Sequence, residues 1–256
     1  MRKSFDELTI ADDFMFCKIM QNEAICKHFL EMVLAGKIGK ITYLSSQNAV
    51  ITGTGAKSVR LDILVKDEAG KSYDIEMQVS NEHNLPKRLR YYQAALDISF
   101  LDKGIHYKAL NDSYIIFVCL FDAIGKGKPL YTFENVCLED RQTLLQDGAK
   151  KVIINAQAFN KAEDKELHGF LEYLKTGAAH TEYTGRIETM IQAVKHNEQA
   201  RKEYRFMSAF EMDAREEGMQ QGIQQGFSDG VIKTALAFKK MGIPIAKIAE
   251  GTGLTQ

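Results

Sequence analysis

The stretch at 58–80, SVRLDILVKDEAGKSYDIEMQVS, constrains the fold of this chain more than any other segment. Apolar residues alternate with polar ones towards both of its ends, a pattern typical of strands with one face in a core and one in solvent. The DEAG between them predicts a three-residue turn at 68–70, in which Gly70 takes the positive φ. The stretch is therefore predicted to form a β-hairpin.

The turn determines which residues of the two strands lie opposite each other. If Asp67 pairs with Lys71, counting back along both strands places Asp62 opposite Glu76 on the same face. Opposed Cβ atoms lie about 4.5–5.5 Å apart, and like charges at that distance repel. A divalent cation would compensate the repulsion, and oxygen-only ligands favour Mg²⁺ or Mn²⁺.

An ordinary solvated strand face is the alternative explanation of these acidic residues. Asp74, Glu76 and Gln78 alternate along the second strand, and most such side chains are simply hydrated. Arg60 or Lys71 can also neutralise the carboxylates. A turn of different length would change the register. The alternation by itself leaves both explanations open.

Three segments carry a resemblance to a known family: RLDILV at 60–65, YDIEMQ at 73–78 and NLPKRLRYYQ at 84–93. The order D…E-x-Q, split across a hairpin, resembles the active-site core of the PD-(D/E)XK nuclease superfamily. Together the segments are similar to the Rpn recombination-promoting nucleases, also described as PD-(D/E)XK nuclease-family transposases. The similarity runs over about 12–155 and reappears in a glycine-spaced tail.

The resemblance implies a role for each matching residue. Asp62 and Glu76 would be catalytic and would hold one or two Mg²⁺ ions, or Mn²⁺. Gln78 would be the third catalytic residue, where the superfamily usually has lysine; its amide would orient the attacking water or contact phosphate. Asp13, in ADDFMF, matches an acidic residue of the family's N-terminal motif and is a further candidate metal ligand, as is Glu31. A helix N-terminus explains Asp13 equally well.

A basic helix is predicted directly after the hairpin. Asn84 and Pro86 are suited to its start, and residues 84–110 carry a surplus of three positive charges. Arginine can grip phosphate with two hydrogen bonds. The resemblance makes Arg88, Arg90 and Tyr91 candidates for DNA contact or for support of the active site. The alternative is a solvated helix face with Tyr91 and Tyr92 in the core.

The remaining pattern predicts an α/β fold. The predicted elements are two helical pieces at 9–35, a strand at 38–52, a turn at 53–57, a buried strand at 113–120 and strands at 130–137 and 150–156. This αβββαβ order resembles the restriction-endonuclease-like core, a central mixed sheet flanked by helices. We assign 1–160 to this nuclease-like domain and 161–256 to an α-helical C-terminal extension.

The extension combines three features. A long charged helix is predicted at 182–217, and glycines follow at every fourth position from Gly218 to Gly230. Each glycine costs a helix roughly 1 kcal/mol relative to alanine, so this spacing indicates an interaction or hinge segment, or alternatively a repeat-expanded linker. The end resembles an incomplete helix-turn-helix, with a turn at Gly242 and a helix beginning at Pro244.

Composition limits the functional classes. The net charge of −1 gives no global basic signature, so any nucleic-acid surface must be local. No apolar run is long enough to span a membrane, and the N-terminus lacks a signal-peptide pattern. The four cysteines have no metal-binding spacing and indicate reduced thiols. A cytoplasmic protein is predicted.

The function implied by the resemblance is a Mg²⁺-dependent DNA endonuclease that hydrolyses phosphodiester bonds in recombination, mobile elements or defence against foreign DNA. Its partner would be DNA. Cutting both strands requires two active sites, which predicts a homodimer or a higher homo-oligomer. The alternative is a catalytically silent nuclease-fold module that binds DNA or protein.

Overall fold

The computed structural model describes residues 3–46, 49–50 and 59–254; at 45–46, 49–50, 60, 208–218 and 221 it describes the backbone alone. The chain divides into two compact units, Met1–Asn197 and Glu198–Gln256. The helices are α1 (Asp13–Met20), α2 (Glu23–Leu34), α3 (Leu85–Phe100), α4 (Lys165–Thr176), α5 (Glu182–Lys195), α6 (Glu198–Lys240) and α7 (Ile245–Thr252). The strands are β1 (Ile41–Ser46), β2 (Ala49–Val50), β3 (Val59–Arg60), β4 (Ile63–Asp67), β5 (Ser72–Gln78), β6 (Ser113–Cys119), β7 (Leu130–Phe133) and β8 (Ala149–Asn155).

A six-stranded mixed sheet organises the first unit. Its strand order is β1-β4-β5-β6-β8-β7. Strands β5, β6 and β8 are parallel, and the other pairings are antiparallel. Helices flank this sheet, as the sequence predicts, so the fold is α/β and restriction-endonuclease-like with C-terminal helices.

The central hairpin has the predicted turn and register. Gly70 has a φ of 86°, and the Asp67 N–H donates to the Lys71 carbonyl at 3.0 Å. Leu64 pairs with Asp74 in the β4–β5 ladder. The first strand is interrupted, however, because residues 61–62 separate β3 from β4. Of the other predicted segments, 47–48, 51–52 and the turn at 53–57 lie outside the described residues.

Helix α2 begins directly after a capping residue. The Asn22 side chain accepts a hydrogen bond from the Ile25 N–H at 3.1 Å and so caps α2. This helix ends one residue earlier than Gly36 indicates, because Ala35 takes the left-handed conformation with a φ of 49°. Alanine rarely adopts this conformation, since its Cβ is strained there.

Helix α3 covers one face of the sheet. Its Leu89 and Leu96 are buried in one cluster with Ile115 and Phe117 of β6. Pro86 lies in its first turn and Asn84 is its N-terminal capping residue, as predicted. Helix α1 packs against β5 and α5, and α2 packs against α4. The basic helix is therefore part of the core, with its N-terminus close to the end of β5.

The C-terminal helices differ from the predicted pattern in one place. The helix predicted at 182–217 is interrupted after Lys195, and α6 begins at Glu198. The glycine-spaced segment lies within α6 and is helical throughout. Gly242 has a φ of 79° and separates α6 from α7, which follows Pro244 as predicted. No helix in the described part of the chain combines the length and the apolar character that crossing a membrane requires.

Candidate active site

The hairpin brings Asp62 and Glu76 together at one end of β4 and β5. The Asp62 N–H donates to Glu76 Oε1 at 2.8 Å, and the Met77 N–H donates to Asp62 Oδ2 at 3.2 Å. These two bonds continue the ladder through side chains, just where the backbone pairing of β4 has stopped. Each carboxylate is thereby held by the backbone of the other strand, which fixes both in place.

The acidic face of the hairpin is buried rather than solvated. Asp74 is 0% exposed and Glu76 is 3% exposed, because α3 lies over this side of β5. Asp62, just before β4, and Gln78, at the end of β5, are half-buried. The alternative explanation from the sequence, that these acidic side chains lie hydrated on an exposed strand face, is therefore wrong for Asp74 and Glu76.

Burial and mutual repulsion raise the pKa of both buried carboxyls. Loss of hydration is the main cause of the raised pKa of Glu76, and the charges of Asp74 and Asp62 add to it. The pKa of Asp74 is raised by burial and then by Asp62. No donor in the described part of the chain reaches either oxygen of Asp74. The Asp74 and Glu76 carboxyls can share a hydrogen bond with each other, but only when one of the two carries a proton.

Among the side chains that the structure describes, Arg88 brings a positive charge to this carboxylate group. Its Nη1 donates to Gln78 Oε1, its Nη2 donates to the Tyr92 hydroxyl at 3.0 Å, and Nη2 lies 3.9 Å from Glu76 Oε2. The guanidinium carbon lies 5.3 Å and 5.1 Å from the ring centroids of Tyr92 and Phe117. The guanidinium is therefore oriented by hydrogen bonds and by two aromatic rings.

A groove of about 560 Å³ opens beside Arg88. It is lined by Val59, Glu82, Asn84, Lys87, Arg88, Arg90, Tyr91 and Tyr92. Lys87 and Arg90 are exposed, and Tyr91 is 39% exposed. Positive charge therefore outweighs negative charge along the groove, and an aromatic side chain lies among the cations.

Comparison with known proteins places this arrangement in a family. Residues 11–225 match the sequence model of the PD-(D/E)XK nuclease family transposases. The chain belongs to this family. No curated protein and no solved structure is significantly similar to it. The match covers the hairpin, the basic helix and part of α6, so it includes all the candidate site residues.

The donor set of this PD-(D/E)XK protein suits a hard divalent cation. Nucleases of the superfamily typically use divalent metals. Asp62 and Glu76 offer only oxygen atoms, which Mg²⁺ prefers. A bound cation would also offset the repulsion among Asp62, Asp74 and Glu76 that helps to raise the pKa of the two buried carboxyls. Within 3–46, 49–50 and 59–254, no three His, Cys, Asp or Glu side chains form a metal-binding group. A pair of carboxylates still fits, because Mg²⁺ is commonly held by one or two carboxylates with waters and phosphates.

The two candidate ligands from the N-terminal helices lie on α1 and α2. Asp13 is exposed as the first residue of α1, where the helix dipole favours a negative charge. Glu31 accepts from the Ile38 N–H at 3.1 Å and lies 3.6 Å from Lys37 Nζ, so it holds the segment that leaves α2. A metal-binding role for Asp13 stays a prediction.

Two residues of the site, Asp74 and Tyr92, have no role in the sequence-based prediction. Tyr92 lies four residues after Arg88, a spacing that brings side chains together on one helix face and could have revealed the pair. The burial of Asp74 has no such local signal. It depends on α3 crossing over β5, which is a tertiary contact.

Proposed function

We propose that this chain is a metal-dependent DNA endonuclease that hydrolyses phosphodiester bonds. The observation that carries the proposal is the pair of opposed carboxylates, half-buried Asp62 and buried Glu76, beside a guanidinium and a groove rich in cations. Buried like charges are unfavourable for stability, so their presence here favours a role in binding or chemistry.

The residues of the chain divide the work between chemistry and substrate binding. Asp62 and Glu76 would hold Mg²⁺, with the Met77 carbonyl as a further candidate ligand. When bound, the ion supplies an acidified water and charge neutralisation at the phosphate. Lys87 and Arg90 at the groove would contact flanking phosphates and fix the position of the strand.

The reaction is an in-line hydrolysis. The water oxygen attacks phosphorus, the bond from phosphorus to the leaving oxygen breaks, and the leaving oxygen takes a proton. The products are a phosphomonoester and a free hydroxyl end. The negative charge that develops on the phosphate oxygens needs cations nearby, and the groove side of the site provides them.

The test is cleavage of supercoiled plasmid in Mg²⁺, Mn²⁺ or EDTA. Nicking or linearisation should require metal and should be lost in both Asp62→Ala and Glu76→Ala. Glu68→Ala is the matched control, because Glu68 is an exposed acidic residue at the turn of the same hairpin. Metal-dependent cleavage that persists in both active-site variants would refute the proposal.

A second candidate is a module that binds DNA or protein without cutting it. Gln78 favours this alternative, since a neutral amide stands where the superfamily usually has a cationic lysine. Wild-type protein that binds DNA but cuts under none of the metal conditions would make this the better description. The same plasmid experiment therefore distinguishes the two functions.

The biological setting that we infer is DNA recombination associated with mobile elements or defence. We propose that a homodimer or higher homo-oligomer brings two sites to the two strands. None of the four cysteines, all of which lie in the described part of the chain, forms a disulfide, which is consistent with work in a reducing cytoplasm. Light scattering after gel filtration tests the assembly, and a monomer both with and without DNA would count against it.

A further inference from the structure

The amide of Gln78 is engaged at both ends. Its Oε1 accepts from Arg88 Nη1, and its Nε2 donates to the Ser80 carbonyl at 2.8 Å. The two bonds determine which end of the amide is oxygen and hold it towards α3. The side chain is therefore arranged to support Arg88 rather than to act on a water of its own.

We propose that Arg88 is a catalytic residue whose guanidinium supplies the positive charge at the reacting phosphate, and that Gln78 and Tyr92 position it. This inference rests on the proposed phosphodiester hydrolysis and deepens it. The cation that would be expected on β5, at position 78, is supplied instead from α3. Gln78 is then a positioning residue, and its presence in place of the usual lysine does not by itself mean that catalysis is lost.

The surroundings of Arg88 suit a phosphate oxygen. Its side chain is 27% exposed and lines the groove, so part of the guanidinium faces the space where DNA would lie. Nη1 serves Gln78 and Nη2 serves Tyr92, but guanidinium has five N–H donors, and phosphate can take the others. Arginine also stays protonated when partly buried, which lysine does not always do.

The charge balance of the site gives a second reason. Asp62, Asp74 and Glu76 form an acidic group that would repel a phosphodiester in the absence of counter-charge. Arg88 is in ion-pair contact with Glu76 and lies between this group and the groove. A cation in so desolvated a position stabilises developing charge more strongly than it would in water.

A charge-relocation cycle tests the assignment. The four proteins are wild type, Gln78→Lys, Arg88→Met and the double variant Gln78→Lys/Arg88→Met. Methionine is chosen because it retains the packing of the stem against Tyr92 and Phe117 while the charge is lost. Lys103→Ala, which removes an exposed lysine beyond the end of α3, is the control, and thermal melting checks that each variant is folded.

The expected pattern is a rescue. Arg88→Met should lower kcat by about 10²–10³-fold with a small change in KM, since its charge acts mainly in the transition state. Gln78→Lys should also be slower than wild type, because two cations would compete for one place. The double variant should recover at least about tenfold over Arg88→Met, since the two positions are in contact. Tyr92→Phe should have a smaller effect than either single variant.

Two results would overturn the inference: Gln78→Lys that cuts as fast as wild type, or a double variant no faster than Arg88→Met. DNA affinity measured against salt in EDTA gives a readout that needs no cleavage. Arg88→Met should reduce the salt slope by about 1, and the double variant should restore it. If wild type never cuts, the endonuclease proposal fails, whereas this slope still decides whether Arg88 contacts phosphate; equal slopes for wild type and Arg88→Met would reject that contact.

Discussion

The two faces of β5 are both buried, but in different ways. Ile75 and Met77 point into an apolar layer, whereas Ser72, Asp74 and Glu76, on the alternate positions, are buried under α3. An aliphatic side chain gains free energy from leaving water, while a carboxylate loses it unless it finds partners. One strand thus supports stability with one face and holds the unfavourable groups on the other.

Hydrogen bonding separates the two faces further. Among the described residues, the buried side-chain atoms without a hydrogen-bond partner include Ser72 Oγ, both carboxylate oxygens of Asp74 and Gln93 Oε1, all on the side of α3. The remaining one is Glu166 Oε2, and it lies 3.5 Å from His28 Nε2. Unsatisfied buried groups are unusual in a folded protein. Their concentration on the α3 side of β5 is consistent with our proposal that this face is the functional one.

Glu76→Gln should show the largest effect, on the face covered by α3. The substitution keeps the shape but removes a charge that, in our proposal, holds the cation, so cleavage should fall by roughly 10²–10³-fold or more. The folded state should be no less stable, because a buried charge is lost. Plasmid cleavage and thermal melting on the same sample check both statements. A variant with full activity would show that the charge of Glu76 is not needed for cleavage, and the functional distinction between the two faces of β5 would be lost.

Ile75→Ala is the adjacent substitution on the opposite face. Ile75 is 0% exposed, and its truncation should cost about 2–5 kcal/mol of unfolding free energy through lost burial and a cavity. Urea denaturation measures the loss. Cleavage per folded molecule, assayed well below the melting temperature, should remain near the wild-type value. Equal losses of activity in Ile75→Ala and Glu76→Gln would mean that the faces are not functionally distinct.

Asp74→Asn should stabilise the protein in a pH-dependent way. Because the folded pKa of Asp74 is raised, the folded state binds more protons than the unfolded state between the two pKa values, and stability falls as pH rises through this range. Asparagine removes this penalty and can donate to Glu76. The melting temperature in EDTA should rise by a few degrees at pH 8 and by less at pH 5. For a domain of this size, about 1 kcal/mol of unfolding free energy corresponds to about 2–4 °C.

The exposed Asp102→Asn is the control for that experiment and should change the melting temperature little at either pH. A stabilisation of Asp74→Asn that is the same at pH 5 and pH 8 would contradict the assignment of the penalty to a titrating carboxyl.

Two backbone substitutions away from the candidate active site should change stability alone. Gly70→Ala should destabilise the hairpin by about 1–2 kcal/mol, because φ is positive and the new Cβ would lie 3.3 Å from Asn111 Oδ1. Ala35→Gly should stabilise the end of α2 by up to about 1 kcal/mol, since φ is positive there as well. Urea denaturation of both should give changes of opposite sign; changes of the same sign would refute the argument.

The sequence predicts those features of this fold that depend on local geometry. Gly70 and the alternation around it determine the register that brings Asp62 to Glu76, and Asn22 is a typical capping residue for the start of α2. The burial of Asp74 could not be predicted, because the alternating sequence pattern is the same whether the polar face is covered by solvent or by a helix. The conformation of Ala35 was also hidden, since glycine at the next position is the more usual residue for a left-handed helix end.

The glycine-spaced part of α6 has a geometric consequence. An added Cβ at Gly222, Gly226 or Gly230 would meet no atom of the described chain within 4 Å, so these positions are not required for packing there. A four-residue unit gained or lost within an α-helix changes its length by about 6 Å and rotates the distal part of the helix by about 40°. Duplication or deletion of one repeat would therefore re-aim α7 relative to the start of α6 while leaving the hairpin and its carboxylates untouched. The length of α6 and the direction of α7 can therefore change in discrete steps without altering the residues of the candidate active site.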